Sequence, residues 1–96
     1  MAYRVEWSTQ AVEDLDAIGH YIARDSTVFA SVVVKSILDT TRKLSRLPFA
    51  GRVVPELDDE HIRERFVYTY RIIYRVRDRV VTVAAIVHGK RILDLE

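Results

Sequence analysis

The run Tyr70-Arg71-Ile72-Ile73-Tyr74-Arg75-Val76, followed by a second apolar run from Val80 to Val87, constrains this chain most. Apolar positions alternate through the first run, the pattern of a half-buried strand. Asp78-Arg79 stands between the two runs as a tight turn. The segment therefore predicts a hairpin of strands 70–77 and 80–87, and Gly89 breaks the second strand. Its polar positions are cationic. Arg71 and Arg75 lie in the first strand, and His88, Lys90 and Arg91 follow the second.

The N-terminal half has other periods. Tyr3-Arg4-Val5-Glu6-Trp7 alternates and predicts a short strand with Tyr3, Val5 and Trp7 facing inward. Ser8 is placed to cap a helix over about 9–24, with Ala11, Leu15, Ile18 and Ile22 on one side and Glu13, Asp14 and Asp16 on the other. Glu13 and Asp14 near its start suit the helix dipole. Ser26 can cap a second helix over about 27–46, whose stripe is Phe29, Val32, Val33, Ile37, Thr40, Leu44 and Leu47. Val32, Val33, Val34, Ile37, Thr40 and Thr41 are β-branched and lower its propensity, but the stripe persists for five turns. Arg42, Lys43 and Arg46 suit its C-terminal end.

Pro48 stops this helix. Val53-Val54 reads as a short strand, Glu56 to Glu60 as an acidic loop, and Ile62 to Val67 as a further strand. The order is β-α-α-β-β-β, with two helices between the first strand and a C-terminal meander. This predicts an α+β fold in which a helical hairpin covers one face of a mainly antiparallel sheet and leaves the other face partly open. Trp7, Phe29, Phe49 and Phe66 are assigned to the core.

At 96 residues the chain is expected to form one domain, residues 1–96. It has no cysteine, which excludes disulfides and thiolate metal sites. No 18-residue apolar run and no signal-peptide core is present, so a cytoplasmic location and no membrane association are expected. The net charge of +1 hides an asymmetry. Residues 1–60 hold seven Lys/Arg against ten Asp/Glu, and residues 61–96 hold eight against four. The basic half is the meander, which suggests an anionic partner there.

Arg63, Arg65, Arg71, Arg75, His88 and Arg91 are the candidate constellation. Residues i and i+2 of a strand share a face, so Arg63 joins Arg65, and Arg71 aligns with Arg75. Guanidinium groups gathered on one surface bind phosphates bidentately and stabilise charge that develops during phosphodiester cleavage. His88 can act as general acid or base, or serve as a strand-end histidine satisfied by backbone. Arg75 and Arg79 read as a solvated strand edge. The acidic loop reads as solvated, and no metal or other cofactor is assigned.

Trp7-Ser8, Ala11, Asp14-Leu15, Ile18, Tyr21-Ile22, Leu47-Pro48, Gly51-Arg52, Val54-Pro55-Glu56, Ile62-Arg63-Glu64, Tyr70-Arg71-Ile72-Ile73-Tyr74-Arg75 and His88-Gly89-Lys90-Arg91 stand in order along nearly the whole chain. Together they resemble the RelE/ParE toxin superfamily, the toxin halves of type II toxin–antitoxin modules, often plasmid-borne. The resemblance implies a cognate antitoxin whose disordered segment folds around the toxin, giving a hetero-oligomer. That segment is expected on the helical hairpin or along a sheet edge, with Val28 and Val34 as pointers. For a RelE-like protein, a metal-independent mRNA endonuclease acting at the ribosome, the resemblance implies Arg71, His88 and Arg91 as catalytic groups. Arg63, Arg65, Arg75 and Lys90 then contact the target. The Trp-Ser…Asp-Leu and Gly-Arg…Pro-Glu segments look more like the ParE branch, which implies DNA gyrase as the target and no catalysis. An inactive, antitoxin-binding relative is the third possibility.

Overall fold

The computed structural model describes residues 2–89. Strand β1 (Arg4–Trp7) leads into helices α1 (Thr9–Ala23) and α2 (Thr27–Lys43). Strands β2 (Arg52–Val53), β3 (Ile62–Val67), β4 (Tyr70–Arg77) and β5 (Val80–His88) follow. They form one five-stranded sheet in the order β1-β5-β4-β3-β2. Only the β1–β5 pairing is parallel. The α+β architecture expected from the sequence is the one observed.

Both helices start where a serine side chain accepts a backbone N–H, Ser8 from Ala11 and Ser26 from Phe29, each at 3.0 Å. The β-branched α2 is helical because burial outweighs propensity: Ala30, Val33, Ile37 and Thr41 recur at helical spacing and are all buried. Its threonine hydroxyls are satisfied within the helix, Thr40 on the Ser36 carbonyl and Thr41 on that of Leu38. The helix ends at Lys43, short of the expected 46. Leu44, Ser45 and Arg46 continue as tighter turns that donate to Thr41, Arg42 and Lys43, so Arg46 lies beyond the helix proper.

The helices cover the sheet face that carries Ile72, Val83, Ile86, Val67 and half-buried Val5 and Trp7. A second cluster, Leu44, Tyr74, Val76 and Val81, closes the other end, with Tyr3 packed against it. Three of the four aromatics assigned to the core lie outside it. Phe29, Phe49 and Phe66 are 46%, 46% and 48% exposed. Phe66 pairs with Arg71 on the face away from the helices, Phe29 meets Tyr68 edge-on at the surface, and Phe49 sits in the loop after α2.

Asp14 also departs from expectation. The first turn of α1 contains no acidic residue, so Glu13 and Asp14 lie beyond the positive end of the dipole. The Asp14 Oδ2 instead accepts the Ile86 N–H at 2.9 Å. Strand β1 pairs with β5 only from Val80 to Val83. Past that point α1 substitutes for the missing strand, Asp14 taking the Ile86 N–H and the Ser8 hydroxyl donating to the Ala84 carbonyl at 2.9 Å. Ala84 is the extra residue of a bulge, since Ile73 pairs with Ala85 and Tyr74 with Val83. Among the described residues no helix is long and apolar enough to cross a membrane.

Candidate functional site

Register separates the arginines expected on one surface. In the β3–β4 ladder Arg71 stands opposite Phe66, Ile73 opposite Glu64 and Arg75 opposite Ile62. Directly paired residues share a face, so Arg71 and Arg75 lie with Ile62, Glu64 and Phe66 on the open face. Arg63 pairs with buried Tyr74, and Arg65 with buried Ile72, on the helix-bearing face. The single cationic surface predicted from the sequence is not formed, because the spacing within each strand was right but the parity between strands was not. Lys90 and Arg91 lie outside the described residues.

Arg71 is also not at the surface. It is 4% exposed, and carboxylates surround it. Its Nη1 and Nη2 donate to the two oxygens of Glu56 at 2.9 and 3.0 Å, a bidentate pair. Its Nε donates to Glu64 Oε1 at 2.9 Å, and Nη2 reaches the same oxygen. The Glu64 side chain is fully buried, and its other oxygen accepts from Arg52 Nε. Removing such charges from water is costly, and only multiple charge-assisted hydrogen bonds offset it. The Glu56 bonds, ahead of those from Glu64, hold the Arg71 pKa above its ordinary value and outweigh the opposing effect of burial. Arg71 could meet a phosphate only by leaving these carboxylates. The acidic loop read as solvated thus supplies, through Glu56, one wall of the network. The sequence reading missed both glutamates; the signal available was the shared parity of Glu64 and Arg71 across the hairpin.

Next to this network the chain passes very close to itself. The Gly51 N–H donates to the hydroxyl of fully buried Tyr74 at 2.9 Å. The Gly51 carbonyl accepts from Arg63 Nη1 at 3.2 Å, and Arg63 Nε donates to the Glu60 carbonyl at 2.7 Å. Arg63 therefore fastens the loop between β2 and β3, and its guanidinium lies 5.0 Å from the centre of the Phe49 ring. Arg65 is half-buried and has no ion-pair partner among the described residues.

Burial pushes the Tyr74 phenol above its ordinary value of 10.0, against the Gly51 hydrogen bond and the charges of Arg63 and Arg65. A pKa raised in the folded state means that the fold favours the protonated phenol. That stabilisation is complete below the unfolded-state value and is lost as pH rises from there through the folded-state value. Urea midpoints measured across pH 8 to about 11 should fall more steeply for the wild type than for Tyr74→Phe. Parallel profiles would refute a buried, neutral phenol.

On the open face, exposed Arg75 borders an apolar cleft of about 320 Å³ with Leu57, Ile62, Ile73, Thr82 and Ala85. His88 is exposed at the opposite end of the sheet and meets Tyr70 edge-on, with ring centres 5.9 Å apart. Asp14, Tyr21, Tyr70 and His88 line a further cleft beside α1. A histidine there is accessible for proton transfer. No group of three or more His, Asp and Glu side chains suited to a metal occurs among the described residues.

The model of the ParE toxin of type II toxin–antitoxin system, parDE, matches residues 5–93. No curated protein matches the sequence. Among solved structures, the chain is similar to one of the chromosomal ParDE toxin–antitoxin system from P. aeruginosa (21% identity, 93% of this chain and 98% of that one, TM-score 0.76). It is also similar to a chain of the toxin–antitoxin complex RelBE2 from Mycobacterium tuberculosis (22%, 92% and 99%, TM-score 0.66). A mutant of the E. coli toxin RelE in the free state is a third (18%, 94% and 86%, TM-score 0.68). At these identities the structural likeness speaks for the fold.

Proposed function

The chain belongs to the ParE toxin family of type II toxin–antitoxin systems, and from that premise we propose that it arrests growth by binding DNA gyrase. The observation that carries this reading is the carboxylate cage around Arg71. A RelE-like cleavage assigns that arginine to the scissile phosphate. Here it is buried, held bidentately by Glu56 and bonded again to Glu64. A binding toxin needs no such cation, and the cage then belongs to the scaffold.

A cognate antitoxin accompanies this proposal. The groove between α1 and α2, lined by Val12, Leu15, Gly19, Ala23 and half-buried Val34, offers it an apolar seat. Val28, 75% exposed near the start of α2, lies on the same hairpin. An amphipathic antitoxin helix fits such a groove.

Two assays run side by side test the target. Purified toxin added to gyrase and plasmid should inhibit supercoiling and trap a cleaved complex, while messenger RNA stays intact in a translation reaction. Cut message with unaffected gyrase would overturn the proposal in favour of ribosome-dependent cleavage, with accessible His88 as the proton-transfer group. Normal growth on expression without antitoxin would point to an inactive relative.

A further inference from the structure

The hairpin between β4 and β5 turns on Asp78 and Arg79, at φ 52° and 62°. A two-residue turn with both residues left-handed favours asparagine followed by glycine. Aspartate tolerates the conformation, but a long side chain at the second position does so at a free-energy cost that glycine avoids. Strained residues of this kind cluster where a side chain has a task. Here the strain places the Arg79 guanidinium 5.3 Å from the centre of the Tyr3 ring.

Tyr3 and Phe49 line the same cleft, with a volume of about 340 Å³, together with His61, Arg77 and Arg79. Each ring is backed by an arginine, Tyr3 by Arg79 and Phe49 by Arg63. Arg77 and Arg79 have no ion-pair partner among the described residues. Asp78 lines the cleft, and Asp59 adjoins it through His61. Asp59 is occupied by the His61 backbone N–H at 2.9 Å, with the His61 ring 3.5 Å away. The size lies near the lower end of ligand clefts, roughly 300–1,000 Å³.

Aromatic faces interleaved with guanidinium groups are the chemistry that holds a base and its phosphate. We propose that this cleft is a nucleotide-binding site. The base lies against Tyr3 and Phe49, and the phosphate meets Arg79. Arg63 is a positioning residue, fixing the Phe49 ring and the loop behind it. The site is at the end of the sheet remote from His88, on the helix-bearing side, and does not depend on which macromolecule the toxin attacks. A free nucleotide and a nucleotide within a single strand present the same chemistry.

Isothermal titration of the purified full chain with AMP and with a 5′-phosphorylated tetranucleotide tests this. Saturable binding that weakens with added salt is expected. Saturation by AMP identifies a free-nucleotide site; saturation by the tetranucleotide alone identifies a strand. Arg79→Gly suits the turn and removes the charge. It should unfold at the wild-type temperature or above it and bind roughly tenfold more weakly. Phe49→Leu should weaken binding to a similar degree, while Arg75→Ala, on the opposite face, should bind like the wild type. Absence of saturable heat with both probes, wild-type affinity in Arg79→Gly and Phe49→Leu, or an equal loss in Arg75→Ala would overturn the assignment.

Discussion

Replacing Arg71 with alanine will lower the stability of the domain by about 3–5 kcal/mol, read as a fall in the urea midpoint. Small domains have roughly 5–15 kcal/mol in total, so much of the native population is at risk. The reason is the company Arg71 keeps. Its removal leaves the Glu64 carboxylate fully buried, with Arg52 as its remaining cationic partner, and takes away the bidentate partner of Glu56. Arg71→Lys should recover only part of the loss, because an ammonium cannot reproduce the planar fork. Arg71→Met combined with Glu64→Leu should recover more, since it removes the buried carboxylate together with its partner. If Arg71→Ala unfolds at the wild-type urea concentration, the cage is not structural, and the case against a catalytic Arg71 fails with it.

Local chemistry was legible in this sequence, and pairing between distant elements was not. Strand β4 runs from Tyr70 to Arg77 as expected, and Asp78-Arg79 is the turn. Alternation and turn chemistry act within a few residues and need no partner to be read. Ser8 and Ser26 cap their helices for the same reason. The order of the main elements, and so the α+β fold, followed from such signals, while the short strand β2 is Arg52–Val53 rather than Val53-Val54.

What failed depended on register. A one-residue change of pairing moves every side chain of a strand to the other face. Nothing local told that Phe66, rather than Arg65, stands opposite Arg71. Arg63 and Arg65 were therefore placed with Arg71, when they share a face with Tyr74. Asp14 reads locally as an acid on the polar side of a helix, suited to its dipole. Its role appears only where β1 stops at Trp7 and leaves the Ile86 N–H without a strand. Phe49 looked like core because nothing local foretold that Arg63 would cover one of its faces at the surface. The family resemblance carried Gly51, Arg52, Glu56, Glu64 and Arg71 as separate pieces of a motif. The structure shows them as neighbours in one scaffold, which gives their spacing a physical reason.

Gly51 is the point where that scaffold has least tolerance, and Gly51→Ala is expected to lower stability by about 3 kcal/mol. A Cβ there would stand 2.4 Å from the Glu64 carbonyl oxygen and 2.7 Å from the Tyr74 hydroxyl. The first is backbone within the β3 ladder and cannot rotate away. The second belongs to a fully buried ring. Relief requires β2 to move off β3. That movement would loosen the Arg52 contact with Glu64 and the Arg63 bond to the Gly51 carbonyl. For a domain of this size the loss corresponds to a fall of roughly 15 °C in the unfolding temperature. The double variant Gly51→Ala with Tyr74→Phe separates the two contacts. Removing the hydroxyl relieves one overlap and leaves the backbone one, so most of the destabilisation should persist. Full recovery in the double variant would mean that the ring, not the strand, sets the requirement for glycine.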